Sequence, residues 1–340
     1  MEAADRISVI MPVFNGERFL REALASVRQQ TREVHEVIIV DDGSTDRSLE
    51  QIHAAVREFE PTVPVAVLEQ ANQGQSASRN TAVDRSTGTL IAFLDQDDLW
   101  HPRHIEVLSS PFSSDPELGW AYSDFNEIDV KGRLVTRGFI ASNNFHHPKT
   151  AIQQLLSEDN MVVPSASVLR KEAFLSVGGF DPRLRGYEDD DLFIRIFQSG
   201  WRMKYFRDPV TSFRVHPGSS SDNSTFRASR MIFFEKLSET FPDDRRLNRR
   251  YVSDLLIPRL MNSTVTEYSI ALQARQFRDA RLIAGSIRIL LSKRPRMRAR
   301  VKFGLALLSH PRLCLLVLRL RQLLPEPLRP AISPALVLRD

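Results

Sequence analysis

The sequence predicts an α/β fold: a Rossmann-like, mostly parallel sheet flanked by helices, with a C-terminal helical extension. Three observations lead there. Short apolar runs alternate with helical periodicities over the first hundred residues. Those runs end in polar or acidic residues. From about Ser229 the chain reads as helices punctuated by Pro242, Pro258, Pro295 and Pro311.

Ile7–Val13 is apolar and closes at the turn Phe14-Asn15-Gly16. Phe19, Leu20, Ala23, Leu24 and Val27 then recur at helical spacing. Val37–Val40 is a second strand, stopping at Asp41-Asp42-Gly43-Ser44-Thr45-Asp46, which is rich in helix-capping residues. Leu49, Ile52 and Val56 mark the next helix. Val63–Leu68 is a third strand, Ser76–Val83 a helix, and Leu90–Leu94 a fourth strand. Alternation at this spacing implies a parallel sheet covered on both faces, with ligands at the carboxyl ends of its strands. Trp120–Val215 is mixed, with a helix opening near Glu188. The expected division is a catalytic domain over 1–228 and a basic, mainly helical region over 229–340.

The 340 residues are 42% apolar and 26% charged, as in ordinary globular proteins. The single cysteine, Cys314, excludes an internal disulfide framework and suits a reducing compartment. No signal peptide and no span of about 18 apolar residues is visible, so the expected location is cytoplasmic. The net charge of +4 conceals a division. Residues 241–340 hold 20 Lys+Arg against 7 Asp+Glu, a balance of +13, whereas residues 1–240 balance at −9.

Asp95-Gln96-Asp97-Asp98 follows the buried run Leu90–Leu94. Three carboxylates at the end of a buried strand call for a positive partner, and a divalent cation carrying a nucleotide diphosphate would supply it. Mg²⁺ and Mn²⁺ both prefer such oxygen ligands. Asp41 and Asp42 either cap a helix or accept from a base or ribose hydroxyl. Gln73 and Arg79 offer an amide and a guanidinium near the same edge, and Arg79 pairs either with Asp41 or with phosphate. Glu188-Asp189-Asp190-Asp191 opens a helix, where one or two acids suit the macrodipole. Four adjacent acids crowd one another, which raises at least one pKa and leaves a carboxylate able to accept a proton. His216 precedes Gly218-Ser219-Ser220-Ser221, as the end of a lid whose imidazole ligates a metal or touches phosphate.

The ordered set Ser8–Asn15, Val40–Asp46, Asn72-Gln73-Gly74, Ser78-Arg79-Asn80, Phe93–Asp98, Val177–Asp181, Glu188–Leu192 and Arg214-Val215-His216 resembles the family 2 glycosyltransferases, which have the GT-A fold. The resemblance covers roughly residues 6–221. It implies a nucleotide-sugar donor, with UDP first among the carriers, and transfer with inversion to a hydroxyl of a glycan or lipid-linked acceptor in surface polysaccharide synthesis. It also implies that Pro12, Phe14 and Glu17 line the nucleotide pocket and that Asp41 touches the base. Asp95 and Asp97 would form the metal motif with His216 closing on it, and Asp189 would be the catalytic base. Asp190 or Asp191 replaces Asp189 as base if the helix begins later. Asp124, Asn126 and the loop Phe139–His147 are candidates for acceptor contact. A catalytically silent sugar-nucleotide binding module is the alternative, against which the acidic quartet argues. A phosphohydrolase with an aspartyl nucleophile fits the Asp-Asp-Gly-Ser turn poorly.

Arg294, Arg296, Arg298, Arg300 and Lys302 stand beside the apolar stretches Phe303–Leu308 and Leu313–Leu318. Such a tail either lies on the anionic inner face of a membrane or packs on the catalytic domain. Nucleic acid ranks last, because the tail has no aromatic interleaving and no nucleic-acid motif.

Overall fold

The computed structural model describes residues 5–59, 62–216, 224–293 and 305–322. Strand β1 (Ile7–Val13), helix α1 (Leu20–Arg28), β2 (Glu36–Asp41), α2 (Ser48–Phe59), β3 (Val65–Glu69), α3 (Gln75–Arg85) and β4 (Leu90–Phe93) alternate as the periodicity requires. There follow β5 (Leu99–Trp100), α4 (His104–Ser109), β6 (Leu118–Ser123), β7 (Asn126–Ile128), β8 (Leu134–Thr136), α5 (Phe139–Ser142) and α6 (Ile152–Ser157). Then come β9 (Ser167–Arg170), α7 (Lys171–Ser176), α8 (Glu188–Gln198), β10 (Arg202–Phe206) and β11 (Thr211–Arg214). The helices α9 (Ser224–Thr240), α10 (Ile257–Gln273), α11 (Phe277–Ser292) and α12 (Pro311–Gln322) complete the described chain.

The main sheet has the order β10-β6-β9-β4-β1-β2-β3. Only β9 runs against its neighbours, β4 and β6, so the sheet is mostly parallel, as expected. Both of its faces are covered. Ile7, Val9, Met11 and Val13 of β1 pack with Leu20, Leu24 and Val27 of α1, Ile52 of α2 and Ile105 of α4. Ile10, one residue out of step, joins Ala82 and Val83 of α3 and Leu192, Phe193 and Ile196 of α8 in the opposite core. The period-2 alternation of a strand thus feeds two apolar layers, and β1 is apolar almost throughout. A second sheet, β5-β11-β7-β8, returns the chain beside the end of β4.

Two compact units are present: Met1–Ile152 with Asn160–Ser229, and Gln153–Asp159 with Arg230–Asp340. The first holds both sheets. The second is helical, as the proline-punctuated pattern implies. Within it Arg230 is buried against Glu267 and donates to Thr264 Oγ1 at 3.1 Å, and Arg259 pairs with Asp159 at 3.1 Å. No helix among the described residues is long and apolar enough to cross a membrane. Gly218–Ser221, Arg294, Arg296, Arg298, Arg300 and Lys302 lie outside the described residues.

The placement of β4 beside β1 depends on Gly88. A Cβ there would stand 2.7 Å from the Arg6 carbonyl oxygen and 2.8 Å from the Ser8 nitrogen, both backbone atoms that cannot swing aside. Gly88→Ala is therefore expected to destabilise the fold by about 1–3 kcal/mol, read as a lowered urea midpoint with an unchanged m-value.

Candidate active site

The acidic segments converge at the carboxyl ends of β1, β2 and β4. Gln96 joins two of these ends. Its Oε1 accepts the Phe14 N–H at 2.9 Å and its Nε2 donates to the Phe14 carbonyl at 3.0 Å. With its backbone held in this way, Phe14 stays 45% exposed. Asn15, at φ 50°, links the same loop to β2's end: its N–H donates to Ser44 Oγ at 3.0 Å and its Oδ1 accepts the Thr45 N–H at 2.8 Å. Pro12 is the one partly exposed residue of β1, opposite Val40. Asp41 is buried, with Oδ2 accepting the Ser44 N–H at 3.2 Å and Oδ1 without a hydrogen-bond partner.

Arg79 connects the remaining acids. It is 1% exposed. One guanidinium nitrogen donates to Asp95 Oδ1 at 2.5 Å, another to Glu188 Oε1 at 3.3 Å. The cation also lies over the Phe180 ring, 5.2 Å from its centre. Burial opposes its charge, yet the charges of Asp95 and Glu188 raise its pKa further above the ordinary arginine value. One buried cation therefore ties the end of β4 to the start of α8.

The first turn of α8 sorts its four acids. Helix α8 begins at Glu188, after Tyr187 in the left-handed conformation at φ 63°. Glu188 accepts from Gln75 and Arg79. Asp191 is fully buried and pairs with Arg195 at 2.7 Å, and Arg195 also donates to the carbonyls of Val177 and Gly179. That cradle holds Asp191 inside the protein, against the loop that precedes the helix. Asp189 Oδ1 accepts the Asp190 N–H at 2.8 Å, and no cation among the described residues pairs directly with Asp189. Asp189 is half-buried. Burial first, and then the charges of Glu188 and Asp190, raise its pKa well above 3.8, despite the neighbouring Arg79.

At the end of β4, Asp97 Oδ2 meets His216 Nε2 at 2.8 Å. Burial and the charge of Asp95 raise the Asp97 pKa, against the pull of His216. Asp98 is more deeply buried, accepts the Arg214 N–H at 2.9 Å, and is raised well above the carboxylate range by burial and by Asp97 and Asp95. Arg214 fastens this end: its Nε donates to the Asp97 carbonyl at 2.8 Å, and its guanidinium pairs with Glu22 at 2.8 Å over the Phe19 ring.

Several expected contacts are engaged by the chain itself. Asp42 accepts the Gln73 N–H at 2.9 Å, the Gly74 N–H at 2.7 Å and the Gln70 amide at 2.7 Å, and so shapes the loop. Gln73 is exposed and keeps its own side-chain amide clear of hydrogen bonds among the described residues. Arg79 pairs with Asp95 and Glu188 and not with Asp41. Glu17 accepts the Arg47 N–H at 3.0 Å at the entry to α2. Asp124 caps α5, accepting from Ile140 at 2.8 Å and Ala141 at 3.0 Å, and Asn126 accepts the Gly138 N–H at 3.0 Å. Both were candidates for acceptor contact, and both hold their own loop. Asp95, Asp97 and His216 form no three-ligand cluster, and none exists among the described residues. Sequence reasoning missed Ser165, whose Oγ accepts the Asp95 N–H at 3.1 Å and whose carbonyl accepts from Trp100 at 2.7 Å. No motif surrounds Ser165 to flag it.

The family model for glycosyl transferase family 2 matches residues 8–178, half of the chain. The chain belongs to that family. An uncharacterized glycosyltransferase of Haemophilus influenzae is 28% identical over 264 residues, covering 75% of this chain and 85% of the relative. S. aureus TarS 1-349 in complex with UDP-GlcNAc matches with a TM-score of 0.61 at 15% identity, over 91% of this chain and 89% of that one. The mannosyltransferase PcManGT of Pyrobaculum calidifontis, in complex with GDP-Man and Mn²⁺, matches with a TM-score of 0.54 at 18% identity, over 99% and 86% of the two chains. The fold of this glycosyltransferase is the expected GT-A arrangement with a helical C-terminal region.

Removing the Arg79 charge strands two carboxylates beside a buried gap. Arg79→Met is expected to cost about 3–5 kcal/mol of stability, the cost of breaking a buried pair from one side, measured by urea unfolding. A loss under about 1 kcal/mol, typical of exposed pairs, would contradict the bridging role.

Proposed function

We propose that this glycosyltransferase moves a sugar from a nucleotide-diphosphate donor, a UDP-sugar first, to an alcohol on a glycan or lipid-linked acceptor in surface polysaccharide synthesis, with inversion at the sugar. The observation that carries this reading is the Arg79 bridge. It ties Asp95, on the donor side, to the turn that presents Asp189. A base on one side and an acidic, cation-binding cluster on the other suit a single displacement, in which the acceptor oxygen arrives opposite the departing diphosphate.

Each role follows from what a side chain leaves unsatisfied. The ring of the exposed Phe14 offers a platform for the base, beside Pro12. Asp41 keeps one buried oxygen free to accept from a nucleobase N–H. Gln73 adds an amide at the same rim. Asp189, uncompensated by any direct cation, takes the proton of the acceptor hydroxyl.

The residues fit a divalent cation. Burial first, and then the charge of Asp95, raise the Asp97 pKa against the pull of His216, so a further positive charge at this carboxylate would be favourable. Mg²⁺ or Mn²⁺ needs only one or two carboxylates besides diphosphate oxygens, so Asp95 and Asp97 suffice, with His216 beside them. When bound, the cation would offset the charge that builds on the leaving diphosphate. The Mn²⁺ complex of PcManGT supports this choice for the chain.

Hydrolysis of UDP-, GDP- and dTDP-sugars, measured with Mn²⁺ and with EDTA, tests the donor and the metal together. Turnover is expected with one nucleotide class, and EDTA should abolish it. Asp97→Ala is expected to lose metal-dependent nucleotide binding by calorimetry; unchanged binding would remove Asp97 from the cation site.

Asp189→Asn should spare donor binding and lower transfer by about 10²–10⁴-fold. Because Asp189 acts ionised and its pKa is raised, transfer should fall on acidification at a pH well above 3.8. An acid limb in the ordinary carboxylate range, or donor affinity that collapses along with the rate, would rule Asp189 out as the base.

A further inference from the structure

We propose that the outward face of α11 docks on an anionic lipid bilayer. Along α11, Ala280, Ile283, Ala284, Ile287, Leu290 and Leu291 are buried, which fixes the inner face. The outer stripe repeats a pair seven residues apart: Arg281-Leu282 and Arg288-Ile289. Seven residues are close to two helical turns, so the two pairs share one side. Leu282 is 59% exposed and Ile289 41%. Arg278 and Lys293 are exposed at the two ends of the same stripe.

No ion pair among the described residues neutralises Arg278, Arg281, Arg288 or Lys293. The one acid of α11, Asp279, lies in its first turn, off the outer stripe. Exposed leucines scattered singly need no explanation. A cation adjoining each exposed apolar residue, twice on one face, matches a surface that offers phosphate and hydrocarbon within a few ångströms of each other. Arginine stems lie along the apolar layer while their heads stay among headgroups. The neighbouring α12 shows the same composition, with Arg312, Leu313 and Leu316 exposed. Nucleic acid would meet the arginines but leave Leu282 and Ile289 in water. A second copy docking through this same face would set one region with a balance of +13 against another. The bilayer alone satisfies both halves of the pattern. No described helix is long and apolar enough to cross a membrane.

The proposal goes beyond the transfer reaction and is tested separately from it. The full chain is floated with vesicles of phosphatidylcholine alone and of equal parts phosphatidylcholine and phosphatidylglycerol, at low and high salt. Binding is expected to the anionic vesicles only and to weaken with salt. Arg281→Gln with Arg288→Gln should lower the partition coefficient about 25-fold, near fivefold for each charge. Leu282→Ser with Ile289→Ser should abolish whatever binding survives high salt. All four positions are exposed, so circular dichroism and donor hydrolysis should stay as in the parent chain. Equal partition into both vesicle types, unchanged flotation of both double variants, preferential capture by duplex DNA, or a dimer that the Leu282→Ser/Ile289→Ser variant dissolves would each overturn the assignment.

Discussion

The site depends on one buried cation. Arg79 is almost entirely removed from water, where a lone guanidinium would be prohibitively costly. Its existence there requires Asp95 from β4 and Glu188 from α8, two residues separated by 93 positions. The converse holds for Glu188, whose carboxylate is buried and has the cation beside it. This mutual requirement brings the end of a central strand and the start of a late helix to the same point. Asp189, next to Glu188, inherits its position from the bridge.

The rest of the site is built from side chains that bind backbone. Gln96 clasps both polar groups of the Phe14 peptide, Asp42 gathers three donors of the Gln70–Gly74 loop, and Arg214 holds the Asp97 carbonyl. Loops at strand ends have few partners of their own, and these contacts supply them. The result is a rim whose shape is set by hydrogen bonds while its few open groups face outward.

Much of this was legible in the sequence, and the reason is periodicity. The alternation of apolar runs with helical spacing located β1 to β4 and α1 to α3, because burial on both faces demands near-continuous apolar strands. The start of α8 at Glu188 was readable from acids massed at a helix N-terminus. Partnerships were not readable. Nothing in the composition near Arg79 says that it pairs with Glu188 and not with Asp41, since the two acids become alternatives only after folding. Asp42 and Asp124 looked like ligands for the same reason: an acid at a strand end serves a ligand or its own loop, and only the positions of nearby N–H groups decide. Ser165 carried no signal, because a hydroxyl that accepts one backbone N–H needs no particular neighbours in sequence.

That ambiguity resolves into a physical distinction among the acids. Asp42 has its charge met by three donors and Asp191 by the Arg195 guanidinium, and both hold the scaffold. Asp41 keeps an unpartnered buried oxygen, and Asp97 and Asp189 have pKa values raised by burial and by like charge. A fold selected only for stability would satisfy or remove such groups, because each raises the free energy of the native state. Their shortfall is of one sign and occurs at the ends of adjacent elements. What would relieve it is positive or hydrogen-bond-donating: a divalent cation near Asp97, a nucleobase N–H at Asp41, and the proton of an alcohol at Asp189. On the function proposed above, each deficit would be met by a different part of the reacting assembly.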